Sequence, residues 1–401
     1  MAQPAGDAAA TARKALDLLL SEKYTELAPL FTPDMQKAYP AEALAKLRVS
    51  FGALKQVGAP AVQPAGVNTI VVIPVQFEAR NFNFRFIVNK DGLVSGMFPL
   101  VGDAAWQHPS YSKPDSFHER DLTVGEDQWK LPATLTLPNG NGPFPAVVLV
   151  HGSGANDRDN TKGGTKVFRD LAEGLASRGI AVLRYEKRTQ IYRSIKPANV
   201  DEETVMDAAR AAALLRTQKE IDGKRVYVLG HGLGGYVAPR IAEEDGKLAG
   251  IILLGANARP IEDVVLDQAQ YLGVSAKDLE GIRAAVKRVK ALDAADSDAP
   301  PLLGMPVTYL LDLKTYDPVA AAKVQTIPIL VLQGDRDFEA NSKDFALWKA
   351  GLSARKDVTF QSYPALNHLF IAGEGKSSEA EYRKPGHVAP EVVDEIAKLV
   401  K

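Results

Sequence analysis

Tyr227-Val228-Leu229-Gly230-His231-Gly232-Leu233-Gly234-Gly235 decides how the rest of the chain reads. Tyr227 to Leu229 are apolar, as in a buried strand, and the glycines that follow impose a tight turn. After the turn, Tyr236-Val237-Ala238-Pro239-Arg240-Ile241-Ala242 reads as a helix. Strand, sharp turn and helix are the setting of the motif G-x-S-x-G, which holds a serine out at the top of the turn. Gly230 and Gly234 fill its two glycine positions, and Gly232 stands where the serine would be. Two other readings compete. Gly230, Gly232 and Gly235 also fit G-x-G-x-x-G, a turn that cradles phosphate, but no acidic residue ends the next strand about twenty residues on, where a ribose contact belongs. A turn with a structural role alone is the third.

Working outward, 401 residues are too many for one typical core and suggest two domains. The net charge is −1 and no lysine or arginine run stands out, which argues against a nucleic-acid surface. No stretch approaches twenty apolar residues, so no membrane span is expected. The absence of cysteine excludes disulfides, a thiol nucleophile and cysteine-bound zinc. No histidine pair has the i, i+4 spacing of a zinc helix, so neither a metal nor another cofactor is expected. Met1-Ala2-Gln3-Pro4-Ala5 lacks a basic or apolar leader. It reads as a mature sequence with an added methionine, compatible with export and a removed signal.

Residues 8–50 read as helices, with Ala12, Ala15, Leu18 and Leu19 on one face. Strands are expected at 69–77, 82–88 and 93–100, the second alternating apolar with polar residues and followed by a hairpin signal at 89–92. Helices followed by antiparallel strands imply a small α+β domain over residues 1–105. Residues 106–116, with Pro109 and Pro114, read as a linker. From 117 to 401 the rhythm is that of an α/β domain. Strands are expected at 121–129, 130–137, 143–150, 179–185, 249–255, 328–332 and 358–363, with helices between and a closing helix at 389–401. Uniformly apolar strands alternating with helices imply a parallel sheet covered on both faces. The alternation stops between 256 and 323, where Leu279, Ile282, Val286 and Val289 stripe one helix and 305–313 suggests another. This segment is a plain insertion or a lid over the carboxyl ends of the strands.

Four segments in order carry a resemblance: His151-Gly152-Ser153-Gly154 with Asn156-Asp157-Arg158-Asp159; Arg184-Tyr185-Glu186-Lys187-Arg188-Thr189; the glycine turn; and the stretches around Asp337 and His368. They resemble the α/β-hydrolase superfamily, and more closely the two-domain bacterial carboxylesterases. The small N-terminal domain is similar to nuclear transport factor 2. The resemblance implies an α/β-hydrolase sheet with a helical lid, a small-molecule ester as substrate, and an acyl-enzyme formed on a serine. In that family the order along the chain is nucleophile, acid, base. Asp337 fits the acid in Leu332-Gln333-Gly334-Asp335-Arg336-Asp337, with Asp335 as its rival. His368, in the loop after the last strand, fits the base, and His387 reads as an exposed residue before the final helix.

The resemblance also implies an oxyanion hole from the N–H groups of Ser153 and Leu233, with His151 in a buried hydrogen-bonding role. Tyr309, Leu310 and Tyr316 in the lid are candidates for substrate contact. Gly232 suits a turn residue with positive φ but supplies no nucleophile. Because acid, base and oxyanion loop are all retained, the chain reads as an inactive Ser→Gly form of a serine esterase. A serine peptidase, an acyltransferase, a thioesterase or a non-catalytic binding protein could use the same constellation. A homodimer is a candidate assembly.

Overall fold

The structure, a computed structural model, describes residues 5–65, 67–78, 80–102, 106–126, 128–382 and 384–401. The chain divides into two compact units, Met1–Trp106 and Gln107–Lys401. The boundary expected at residue 105 and the first four residues lie outside the described residues.

In the first unit, helices Ala5–Leu20 and Ala41–Phe51 pack on an antiparallel sheet of five strands. The long strands Asn68–Phe77 and Asn81–Val88, the latter paired with Val94–Gly102, alternate as their sequence requires: Val71, Ile73 and Val75 face the core with Phe82, Phe84 and Phe86. Phe51 closes this core with its ring centroid 4.8–5.3 Å from those of Phe77, Phe82 and Phe84. Two strands were not legible beforehand, Leu54–Val57 and Ala61–Ala65. Both pair with one edge of Asn68–Phe77, interrupted at Gly58-Ala59-Pro60. Lys55, Gln56 and Pro64 hide the strand pattern, and an edge position tolerates them.

The second unit is built on eight strands: β1 Phe117–Val124, β2 Leu131–Pro138, β3 Phe144–Val150, β4 Ala181–Tyr185, β5 Ile221–His231, β6 Gly250–Leu254, β7 Ile329–Gly334 and β8 Val358–Tyr363. Their order is β1-β2-β4-β3-β5-β6-β7-β8, and β2 alone runs against the others. β1 stops at Val124 because Gly125, at φ 84°, turns the chain. Alternate residues of β3 show why these strands are apolar throughout. Val148 and Val150 face helices Met206–Arg216 and Ala238–Asp245, whereas Val147 and Leu149 face Val167–Ala176 and Pro390–Val400.

The stretch read as a linker is not a free tether. Residues 107–116 are packed on the second unit. The Tyr111 hydroxyl donates to the Val388 carbonyl (2.8 Å), the Ser112 hydroxyl to Glu173 (2.7 Å), and His108 Nδ1 lies 2.6 Å from the same carboxylate. Two prolines marked irregular chain, but irregular chain can still be held in place by side-chain hydrogen bonds.

The insertion between β6 and β7 contains Ile261–Leu272, Ala276–Ala291, Val307–Lys314 and Pro318–Lys323. Its first helix was unforeseen, because Glu262, Asp263, Asp267 and Gln268 dilute its apolar stripe. Among the described residues no helix is long and apolar enough to cross a membrane.

Phe84 is wholly buried and Phe98, in the same sheet, is 46% exposed. Phe84→Ala should lower the stability of the first unit by about 3–5 kcal/mol, and Phe98→Ala by about 0.5 kcal/mol or less. Urea titration of the two variants checks this; equal shifts would mean that the aromatic cluster does not hold the unit together.

Candidate active site

The carboxyl ends of β3, β5, β6, β7 and β8 meet around Gly232, and glycine is what lets them meet. A Cβ on Gly230 would lie 2.1 Å from the Gly234 carbonyl oxygen. One on Gly234 would lie 2.4 Å from the Val150 oxygen, and one on Gly235 2.6 Å from Ala256 Cβ. The turn therefore presses against the ends of both β3 and β6, and this close packing accounts for the glycine spacing that also resembled a phosphate cradle. Gly232 itself has φ 55° and ψ −116°, a conformation that strains any other residue. Its position nevertheless has room. A Cβ there would lie 3.4 Å from His368 Nε2, 3.6 Å from His368 Cε1 and 3.7 Å from Gly152 Cα.

His368 Nδ1 and Asp337 Oδ2 are 2.7 Å apart. Asp337 Oδ1 accepts the backbone N–H groups of Glu339 (2.7 Å) and Ala340 (2.9 Å), so the carboxylate is fixed by its own loop. Gly255, at φ 56°, passes behind the pair, and a Cβ on it would come within 3.1 Å of Asp337 Oδ2. Asp335, the rival acid, is exposed. His387 is half-buried and sits 3.2 Å from both oxygens of buried Asp170, so it is not the free terminal residue its position suggested.

Glu339 was missed in the sequence. Its Oε2 lies 3.8 Å from His368 Nε2. Burial works against a charge on His368, but Asp337 and then Glu339 outweigh it and push the imidazole up to about 9. The neighbouring histidines are held neutral. Burial, then the Lys187 charge, pushes His151 down to about 3. Burial, then His368, holds His231 well below its ordinary value. The network sets the His231 tautomer: Nε2–H donates to the His368 carbonyl (2.9 Å), and Nδ1 accepts from Asn160 Nδ2 (3.3 Å).

The loop after β3 is turned by two side chains whose motifs carried no role in the sequence. Asn156 Nδ2 reaches the carbonyl oxygens of Gly152 (3.3 Å), Ser153 (3.0 Å) and Gly154 (3.1 Å). Buried Lys187 donates to the Gly152 carbonyl (2.8 Å) and pairs with Glu203 (3.1 Å). In a trans peptide N–H and C=O point in opposite directions. With the Gly152 carbonyl drawn toward Lys187 and Asn156, the Ser153 N–H points away from them. Leu233 supplies the first N–H of the helical turn after Gly232, and its nitrogen lies 3.9 Å from where a Gly152 Cβ would be. His151 Nε2–H donates to the Asp157 carbonyl (2.9 Å), so its ring holds the same loop from behind.

Gly232, His368, Ser153 and Leu233 line one cavity of about 640 Å³. A second cavity of about 180 Å³ adjoins it and shares Ser153, Leu233, Ile261 and Met305. Of the three lid candidates, Tyr309 lines this second cavity and donates to Glu203 (2.7 Å). Leu310 is instead buried in the lid's own core with Val289, Leu292 and Val307. Tyr316 stacks edge-on against Tyr236 and faces a different cavity. All three were candidates by their place in the insertion alone, and only the packing shows which of them meets this cavity. Among the described residues no cluster of three histidine or carboxylate side chains could hold a metal ion.

Residues 147–377 match the Alpha/beta hydrolase family. The chain belongs to that family. Over 342 residues it is 41% identical to the esterase EstD of Thermotoga maritima, covering 82% of this chain and 80% of the relative. In fold it is similar to a putative dipeptidyl aminopeptidase IV from Bacteroides ovatus (TM-score 0.51, 14% identity, 86% of this chain and 43% of that one). It is also similar to the Pyrococcus furiosus esterase Pf2001 (TM-score 0.46, 14% identity, 76% of this chain and 97% of that one).

The packing of the turn makes a sharp comparison. Gly230→Ala should destabilise by about 3 kcal/mol or more, since backbone must move, and Gly232→Ala by less, within the roughly 1–3 kcal/mol of a sparsely populated backbone conformation. Denaturation midpoints of both variants measure this, and a Gly232→Ala protein as unstable as Gly230→Ala would disprove the open slot at position 232.

Proposed function

We propose that this protein is built as a carboxylic-ester hydrolase of the serine type, with Gly232 at the nucleophile's place. The observation that carries the proposal is the slot itself: the side-chain position of residue 232 opens onto His368 Nε2 at 3.4 Å, and His368 is backed by Asp337. The identity with an esterase over four-fifths of the chain supports the same reading.

In a form carrying serine at 232, the hydroxyl oxygen bonds to the ester carbonyl carbon while its proton passes to His368 Nε2. The carbonyl oxygen gains the negative charge and accepts hydrogen bonds from the N–H groups of Ser153 and Leu233. As the tetrahedral centre collapses, the bond to the alcohol oxygen breaks and His368 returns its proton to that oxygen. Water then attacks the acyl-enzyme by the same route in reverse, giving a carboxylic acid and a free serine. Asp337 fixes the tautomer and stabilises the imidazolium. Asn156 and Lys187 act one step back, as positioning residues for the oxyanion loop.

The chain with Gly232 binds an ester but has no oxygen to attack it, so we read it as an inactive form of such an enzyme. Gly232→Ser should raise turnover of p-nitrophenyl esters by several orders of magnitude, and adding Asp337→Asn should lower kcat again by about 10⁴-fold. A serine form that prefers amides would move the protein to the peptidases. One that binds esters and stays inert towards esters, thioesters and amides would leave a binding protein.

The base must be unprotonated to accept the serine proton, and Asp337 and Glu339 favour its protonated form. In the Gly232→Ser background kcat/KM should therefore rise with pH through the range below about 9. Glu339→Gln removes one stabilising charge and should move the rise to lower pH. A rise displaced to higher pH, or unmoved, would show that Glu339 does not act on the base.

A further inference from the structure

Helix Val307–Lys314 of the insertion meets the body of the second unit through Tyr309 and Asp312, which lie one turn apart on the same face. The Asp312 carboxylate accepts the Val200 N–H (2.9 Å) and the Arg240 guanidinium (3.0 Å), which clamps the helix in place. The Tyr309 contact leads further. Its hydroxyl donates to Glu203 Oε2 (2.7 Å). Glu203 stands in the turn Asp201–Val205 that feeds helix Met206–Arg216. Its other oxygen, Oε1, receives the Lys187 ammonium (3.1 Å) and the Thr189 hydroxyl (3.3 Å). Lys187 Nζ also donates to the Gly152 carbonyl (2.8 Å). Tyr309, Glu203 and Lys187 thus form a continuous chain of polar contacts from the insertion to the Gly152–Ser153 peptide.

All three side chains are withdrawn from water: Tyr309 is 6% exposed, Glu203 9% and Lys187 2%. In such surroundings a hydrogen bond to a charged group is strong, and a group that loses its partner finds no water to replace it. Burial, then the Glu203 charge, holds the Tyr309 hydroxyl well above its ordinary value, so it stays a donor. Its single proton is committed to Glu203, and none is left to offer a ligand. The chain of contacts also closes on itself in space. Glu203 and Tyr309 line the cavity of about 180 Å³ together with Ser153 and Leu233, whose N–H groups form the oxyanion hole in the hydrolase reading.

We infer that Tyr309 and Glu203 are positioning residues for the oxyanion hole: the insertion fixes the Ser153 N–H through Tyr309, Glu203, Lys187 and the Gly152 carbonyl, so the hole is complete only with this helix seated. The inference rests on the hydrolase reading above. Without the Tyr309 hydroxyl, Glu203 Oε2 has no donor, the carboxylate is free to turn, and the ammonium that holds the Gly152 carbonyl turns with it.

The test uses the Gly232→Ser protein with p-nitrophenyl butyrate. Tyr309→Phe keeps the ring in the cavity wall and removes only the hydroxyl. It should lower kcat by about tenfold, part of the roughly 10²–10³-fold lost when a donor of such a hole is itself removed, and leave KM within about threefold. Affinity for heptyl trifluoromethyl ketone should fall by the same factor as kcat/KM. The serine oxygen bonds to the ketone carbon, its proton passes to His368, and the ketone oxygen takes the negative charge into the hole, so this affinity reads the hole itself. In the chain with Gly232, the same change should leave the Kd of the intact butyrate, read by calorimetry, within about threefold. Glu203→Gln should lower kcat by more than Tyr309→Phe does, and adding Tyr309→Phe to it should cost less than about twofold further, because the two act through one link. A serine form that hydrolyses butyrate but loses nothing in Tyr309→Phe, or loses KM and ground-state affinity instead of kcat, overturns the inference and leaves the hydrolase reading intact. Fully additive losses in the double variant also overturn it. A serine form inert to every ester removes both. If Tyr309→Phe does not fold, Glu203→Gln decides by the same kcat, KM and trifluoromethyl ketone readings.

Discussion

The site depends on a crossing of backbones too close for any side chain. Gly230, Gly234 and Gly235 bring the end of β5 against β3 and β6 at distances that a single methyl group would forbid. Everything functional is referred to that crossing. It sets where residue 232 projects, how near Gly152 and Leu233 lie to it, and how the ends of β7 and β8 deliver Asp337 and His368 past Gly255. The rigidity of the arrangement comes from close packing around it, since β3, β5 and β6 are buried on both faces.

Around this crossing the protein separates its charges. Three histidines lie within one small region, and burial keeps two of them neutral: His151 behind the loop after β3, and His231 beneath His368. Both serve as hydrogen-bond donors to carbonyl groups. His368 is buried as well, but it faces Asp337 and Glu339, and two carboxylates reverse the effect of burial. Buried Lys187 contributes differently. It carries its charge beside Glu203 and spends a donor on the Gly152 carbonyl, so one ion pair beneath the loop orients the Gly152–Ser153 peptide.

The parts legible in the sequence were those with a strong local signature. Parallel strands buried on both faces appear as continuous apolar runs, so β3, β4, β6 and β7 could be placed within a residue or two, whereas β5, read from Tyr227, begins at Ile221 because Asp222, Lys224 and Arg225 interrupt its apolar run. The glycine turn was legible because steric exclusion leaves no alternative residue. Asp337 and His368 were singled out through the resemblance to a known family and its chain order, and the fold sets the two side chains 2.7 Å apart. Illegible features were those whose meaning depends on partners far away in sequence. Lys187 and Glu339 look like ordinary charged residues until the fold buries one and sets the other beside His368. Residues 107–116 look like a tether until Tyr111 finds Val388. Leu310 and Tyr316 are as apolar or aromatic as Tyr309, and only the packing of the lid separates the cavity wall from the lid's own core.

The most direct measurement is covalent trapping by an active-site-directed alkyl fluorophosphonate, read by intact mass and peptide mapping. The Gly232→Ser protein should take up one equivalent, with the label on the introduced serine, and Asp337→Asn in that background should slow labelling sharply. The chain with Gly232 should take up none. Labelling of the Gly232 chain, at Ser153 or elsewhere in the cavity, or an unlabelled Gly232→Ser protein that is folded, would contradict the assignment of residue 232 as the nucleophile's place.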